Sequence, residues 1–309
     1  MFARAPIALL AVALLGGCVV RVPLQETPRQ VERPIAPMAT AGPAFAAACT
    51  DWDEWDKPAP PVRIHANTFL VDTCGIAAIL ITGSAGHILI DSGTEAGADL
   101  IAANIRSLGL RLEDVRYLLH SHEHIDHVGG MARLQQLTGA QLIASPAAAA
   151  VFNSGAAGPG DPQAGMRKPF PAARVDRVIA DGEAVRLGDI SLTAIATPGH
   201  TPGALSWHWG SCDGSNCLRM VYADSLTAIS RDDYRFTDHP ANVAAFRAGL
   251  QRLAALDCDI LLTPHPSGSD LVNRVAGRAP LVNPVACREY AAAAAKRLDE
   301  RLAKEGAAK

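Results

Sequence analysis

His120-Ser121-His122-Glu123-His124-Ile125-Asp126-His127 puts four imidazoles and two carboxylates into eight residues. The apolar run Tyr117-Leu118-Leu119 leads into it and Gly129-Gly130 follows it. Zinc takes imidazole nitrogen and carboxylate oxygen, usually four ligands in a tetrahedron. His122 and His124 are two apart, so on an extended segment their side chains face the same way. Asp126 and His127 come where the chain must turn toward the glycine pair. One short loop can therefore present two ligand pairs to two adjacent metals. Two more ligands are needed. His200 lies in Thr197-Pro198-Gly199-His200-Thr201-Pro202-Gly203, and His265 in Thr263-Pro264-His265-Pro266. Each follows a strand-like run, and the neighbouring prolines stiffen the backbone that carries the ring.

Outward from this cluster the chain alternates strands and helices. Thr68 to Val71, Ala77 to Ile81 and His87 to Ile90 are short apolar or β-branched runs that predict buried strands, the last ending in Asp91-Ser92-Gly93-Thr94. Residues 95–108 predict a helix with Leu100, Ile101, Ile105 and Leu108 on one face, and Met131 to Leu137 another. Leu142 to Ala144, Ser191 to Ala196 and Ile260 to Leu262 predict strands. Leu205 to Trp209 and Met220 to Ala223 predict a hairpin. Residues 153–171, rich in Gly and Pro, predict a long mobile loop. A last helix is expected with Asn283 as its cap, Pro284 in its first position and a Glu300–Lys304 pair. Strands feeding loops, with helices between, imply one layered α/β domain over residues 49–309. The two halves share a β-then-helix order, too weakly to count as a repeat.

About half of the 309 residues are hydrophobic, enough for a sizeable core, and net charge is −3 from 28 basic and 31 acidic residues. No basic run tracks a phosphate backbone, so no nucleic-acid partner is expected. The N-terminus is a targeting segment, with Arg4 ahead of the short apolar run Ile7 to Leu15. Leu15-Gly16-Gly17-Cys18 resembles a bacterial lipobox. That resemblance implies a signal peptide over 1–17, lipidation of Cys18, a tether over 18–48, and, with Val19 following, an outer-membrane anchor in the periplasm. A lipid chain contributes about 0.8 kcal/mol per buried methylene. Of seven cysteines, six remain after Cys18, which suggests three disulfides in an oxidising compartment. Fifteen pairings are possible. Cys212 and Cys217 flank the turn residues Asp213-Gly214-Ser215-Asn216, where a bridge across a hairpin tip is the simplest reading.

His122-x-His124-x-Asp126-His127, with His200 and His265 downstream, resembles the metallo-β-lactamase superfamily. Asp51-Trp52-Asp53-Glu54-Trp55, Asp72-Thr73-Cys74-Gly75, Ile88 to Thr94, Thr197 to Gly203 and Tyr222-Ala223-Asp224-Ser225-Leu226 resemble its B3 subclass. The resemblance implies an αββα sandwich and a monomeric β-lactam hydrolase with two zinc ions. One ion would take His122, His124 and His200, the other Asp126, His127 and His265. A zinc-held hydroxide would attack the lactam carbonyl, with Asp126 keeping the nucleophile in line. The resemblance also implies the pairs Cys49–Cys74, Cys212–Cys217 and Cys258–Cys287. The lysine that meets the substrate carboxylate in some relatives is not evident, which leaves Ser225 and Thr227 for that contact. Asp91 is expected to orient a ligand loop from behind. An inward-turned Asp224 that bridged the metals would instead favour a thioesterase-like or phosphodiesterase-like enzyme, and a thioester or lactone hydrolase on the same fold is the alternative to the β-lactam reading.

Overall fold

Two sheets form because the apolar runs are short, β-rich and separated by turn or helix signals. The computed structural model describes residues 41–50 and 52–307. The first half runs α1 (Ala41–Ala48), β1 (Val62–His65), β2 (Thr68–Leu70), β3 (Ile79–Gly83), β4 (Gly86–Ile90), α2 (Gly97–Ser107), β5 (Val115–Leu119), α3 (Ile125–Val128), α4 (Met131–Thr138), β6 (Gln141–Ala144), α5 (Pro146–Ser154) and β7 (Val175–Val178). The second half runs β8 (Ala184–Leu187), β9 (Ile190–Ala196), β10 (Leu205–Asp213), β11 (Asn216–Tyr222), α6 (Pro240–Ala254), β12 (Ile260–Leu262), α7 (Leu271–Val275) and α8 (Ala286–Ala307).

The first sheet has the order β1-β2-β3-β4-β5-β6-β7. It is antiparallel as far as β4 and parallel from β4 to β7, where helices make the crossovers. The second has the order β12-β11-β10-β9-β8, and only β11 and β12 pair in parallel. The alternate sides of each central strand explain why these runs are apolar throughout. Ile79, Ile81, Ile88 and Ile90 face Leu192, Trp207, Met220 and Tyr222 of the second sheet. Their neighbours Leu80 and Leu89 face the other way, onto Ile101, Ile105, Met131 and Leu134 of α2 and α4. Val221 and Leu261 of the second sheet pack against Phe246, Leu250 and Leu298 of α6 and α8. Fully burying one such side chain contributes about 1.5–3 kcal/mol. The layers are helix, sheet, sheet, helix: an αββα sandwich.

Several expectations need correction. The tether does not extend to residue 48: Ala41–Ala48 is a helix whose Phe45, 0% exposed, sits in the core between the sheets. The last helix starts at Ala286 rather than Pro284, while Asn283 Oδ1 accepts from Val285 N in the turn ahead of it. Glu300 pairs with Lys296 rather than Lys304. The 153–171 segment is held in place at its middle, because Asp161 and Gln163 are buried. The targeting segment, Cys18 and the tether up to residue 40 lie outside the described residues. Disulfides join Cys49 to Cys74, Cys212 to Cys217 and Cys258 to Cys287.

Candidate metal centre

The 120–127 loop leaves the end of β5 and is hung from the residue that ends β4. Asp91 has a left-handed backbone (φ 66°), which aspartate tolerates better than most residues. Its Oδ1 accepts from Ser121 N at 2.7 Å, and its Oδ2 accepts from Ser121 Oγ and from Tyr222 OH, both at 2.7 Å. Asp91 therefore sits behind the loop and ties it to β11. Two further bonds fix the loop to β10: Leu205 N to Ser121 O at 2.7 Å and Trp207 Nε1 to His120 O at 2.8 Å. Gly130 is required where the loop ends, since a Cβ there would stand 2.6–2.7 Å from the carbonyls of Ser92 and Thr94.

Glu123 holds the second ligand turn. Its carboxylate accepts from Thr201 Oγ1 at 2.6 Å and from Gly203 N at 2.7 Å, and so joins the 120–127 loop to the turn that carries His200. Gly199 in that turn (φ 150°) would put a Cβ 2.2 Å from the Phe246 ring. The third ligand segment follows β12 and brings in His265.

The fold gathers the six expected ligands into two sets, His122 with His124 and His200, and Asp126 with His127 and His265. In each set the donor atoms lie within 4.8 Å of one another. His127 Nε2 is 3.3 Å from His265 Nε2 and 3.3 Å from Asp126 Oδ2, and His265 Nε2 is 3.5 Å from the same oxygen. Burial pushes the His122 and His200 imidazoles well below their ordinary range, and the neighbouring imidazoles add to it. Burial also brings His265 down to about 4. These rings are neutral at pH 7, as metal ligation needs. Burial pushes the Asp126 carboxyl up, but the rings of His127, His265 and His124 outweigh it and keep the group ionised. His122 Nε2 is buried with no hydrogen-bond partner among the described residues. A buried lone pair without a donor is costly, and a metal ion answers it. The donor set fits zinc.

Each ring of the first set is oriented from behind. His122 Nδ1 donates to Asp224 Oδ1 at 2.8 Å, and His200 Nδ1 lies 3.1 Å from Thr227 O and 2.9 Å from Thr227 Oγ1. Thr227 Oγ1 thus stands against a ligand ring, and with the residue only half-buried its own O–H stays free to donate elsewhere. Asp224 stands behind His122 and belongs to neither donor set. Ser225 Oγ makes no hydrogen bond among the described residues, although the residue is buried. Sequence reasoning missed Asp161 and Gln163. His124 Nε2 donates to Asp161 Oδ2 at 3.0 Å, and Gln163 Nε2 is 3.4 Å from His200 Nε2. A polar pair in a Gly/Pro-rich loop offers no signal of this. The role of Glu123 was missed too, though its place between the paired histidines was visible.

Known proteins agree with this geometry. The chain superposes on the solved MIM-2 metallo-beta-lactamase with a TM-score of 0.83 and 57% identity, covering 86% of this chain and 98% of that one. Against MIM-1 from Novosphingobium pentaromativorans the TM-score is 0.83 and the identity 50%, covering 85% and 98%. A hydroxyacylglutathione hydrolase of Anaeromyxobacter dehalogenans (strain 2CP-C) is 29% identical over 56% of this chain and 55% of its own length. The chain spans about half the length of the curated relatives it matches. The family described as the metallo-beta-lactamase superfamily matches residues 71–265. With that stretch holding all six clustered ligands, the chain belongs to the metallo-beta-lactamase superfamily.

Proposed function

We propose that this protein is a zinc-dependent β-lactam hydrolase of the B3 type, with two zinc ions per chain, that confers antibiotic resistance. One observation carries the reading: two complete donor sets stand side by side in a chain 57% identical to MIM-2 over 98% of that enzyme. Zinc bound there would supply Lewis acidity toward a carbonyl oxygen and a water acidified toward a pKa of about 7. The protein's own groups do the rest. Asp126 stays ionised and accepts a hydrogen bond from the attacking water, which holds it in line. As the water oxygen bonds to the carbonyl carbon, the water gives up a proton, the ring C–N bond breaks, and the nitrogen takes up a proton that balances the one released. The Ser225 hydroxyl, free of other partners among the described residues, meets the substrate carboxylate.

A hydrolase of thioesters or lactones is the rival, since hydroxyacylglutathione hydrolases are among the relatives. The engagement of Asp224 with His122 Nδ1 argues against a bridging carboxylate of the kind that rival would use. Metal analysis with hydrolysis of a chromogenic cephalosporin, a glutathione thioester and a lactone separates the two. The expected result is about two zinc ions, chelator-sensitive cephalosporin turnover and little turnover of the others; the reverse preference overturns the reading.

Arg4, the apolar run to Leu15 and Leu15-Gly16-Gly17-Cys18 support export and an anchor through Cys18 on the outer membrane, facing the periplasm. Cys18→Ser should abolish labelling by a fatty-acid probe and release the enzyme from the membrane fraction. Absence of label in the parent protein refutes the anchor.

A further inference from the structure

We infer that Asp161 is a positioning residue of the metal centre: it sets which nitrogen of His124 faces the metal, and through that bond it clasps the 158–166 loop to the first donor set. The inference rests on the dizinc reading above. A neutral imidazole has one N–H and one lone pair, and the partner of one nitrogen decides what the other can do. His122 and His200 are held at Nδ1, by Asp224 and Thr227, which leaves Nε2 to ligate. His124 is held the opposite way. Its Nε2 donates to Asp161, so Nδ1 is the nitrogen left for the metal. The three rings of one set therefore depend on three separate partners.

Asp224 and Thr227 follow β11 directly, where the sheet positions them. Asp161 has no such support, because it lies between α5 and β7 in a segment without regular structure. Local bonds fix it instead. Its Oδ1 accepts from Gln163 N at 2.6 Å, and its N donates to Gly158 O at 3.0 Å. Arg231 Nη1 donates to Asp161 O at 3.2 Å, and Arg231 N donates to Pro162 O at 3.0 Å. The residue is 2% exposed. A buried carboxylate is costly unless its oxygens are hydrogen-bonded, and His124 is the side-chain donor that satisfies Oδ2. The dependence runs both ways: Asp161 orients the ring, and the ring keeps the loop seated. Coupling between two such sites is reciprocal. The seated loop also carries Gln163, whose amide stands beside His200.

The test uses the full-length protein with Asp161→Ala, Asp161→Asn and Arg231→Ala. Zinc affinity is read by competition with a chromophoric chelator. Amide hydrogen exchange is followed over residues 156–168, and the imidazole N–H signals are followed in the ¹H–¹⁵N spectrum of the zinc-loaded protein. Partners behind a ligand are worth about 10–100-fold in metal affinity. Asp161→Ala should lose that much at one site and leave the other unchanged. It should also lose the slowly exchanging Nε2–H signal of His124 and speed exchange across the loop. Asp161→Asn keeps one acceptor oxygen for two donors and should fall between parent and alanine. Arg231→Ala should speed exchange in the loop with a smaller loss of zinc. Equal zinc loss in Arg231→Ala and Asp161→Ala would mean that loop order alone matters, and would overturn the positioning role. Unchanged zinc affinity and a surviving Nε2–H signal in Asp161→Ala overturn this inference alone, whereas a parent that binds no zinc overturns the functional reading with it.

Discussion

Asp224 and Ser225 are adjacent, and the structure gives them opposite duties. The Asp224 carboxylate backs His122, while the Ser225 hydroxyl has no partner among the described residues. Ser225→Ala should leave zinc content unchanged and raise KM more than it lowers kcat, because it removes uniform substrate binding. A hydrogen bond to a charged group is worth about 1.5–3 kcal/mol, on the order of ten- to a hundred-fold in kcat/KM. Asp224→Ala should weaken zinc only at the first set; loss of the second ion instead would restore the bridging alternative. Asp72 is a buried acid of another kind. Neither of its oxygens has a hydrogen-bond partner among the described residues, and burial pushes its carboxyl well above the usual range. The folded chain therefore holds that proton more tightly than the unfolded chain, whose carboxyl titrates near about 3.9. Its contribution to stability is full below that pH and is lost as pH rises through the folded value. Asp72→Asn, which cannot ionise, should flatten that decline in urea-unfolding midpoints taken from about pH 4 to about pH 8. Parallel profiles for parent and variant would refute it.

β12 is three residues long, yet it delivers His265. Two devices hold it. One is its parallel pairing with β11, and the other is the Cys258–Cys287 bridge, which ties its start to the first turn of α8 across a separation of 29 residues. Closing a loop of that length is worth about 3–4 kcal/mol in the chain-entropy model. Replacing both cysteines by serine should lower Tm by on the order of 10 °C and weaken zinc at the second set before the first. An unchanged Tm would show that packing of α8 alone holds β12. The far end of α8 braces a different part of the site. Glu305 accepts from Phe236 N and Thr237 N, and Arg301 Nη2 reaches Ser230 Oγ and Tyr234 O. These contacts steady the segment from which Arg231 holds the 158–166 loop.

The ligands come from both sheets: the end of β5 in the first, and the ends of β9 and β12 in the second. Metal in these sets cross-links the sandwich along one edge, so binding stabilises the folded chain by mass action. Free zinc at a thousand times its Kd contributes about 4.1 kcal/mol per site. Chelation should therefore lower Tm by on the order of 20 °C when both sites are saturated, and about two equivalents of zinc should restore it. A Tm indifferent to chelator would show that the sets do not link the sheets.

Much of this architecture was legible from local pattern. Strands buried on both faces appear as unbroken apolar runs, so Ile79 to Ile81 and His87 to Ile90 declared themselves. The four motif ligands lie on one short loop, and the turn prolines marked the other two histidines. α5 was missed because Pro146 to Phe152 is mostly alanine and has no apolar period. Its punctuation was present all the same: Ser145 caps it by accepting from Ala148 N, Pro146 opens it, and Gly155 closes it in a left-handed turn. Asp91, at the end of a buried strand, was the one group behind the ligand loop that was legible; the partners of the individual ligand rings were not. Asp161 meets His124 across 37 positions, Glu123 meets Gly203 across 80, and Asp224 meets His122 across 102. Periodicity and turn chemistry act over a few residues and settle which side chains are buried and where the chain turns. Which buried carboxylate lies behind which ring depends on how two sheets and a loop come to rest against each other, and only that long-range packing determines it.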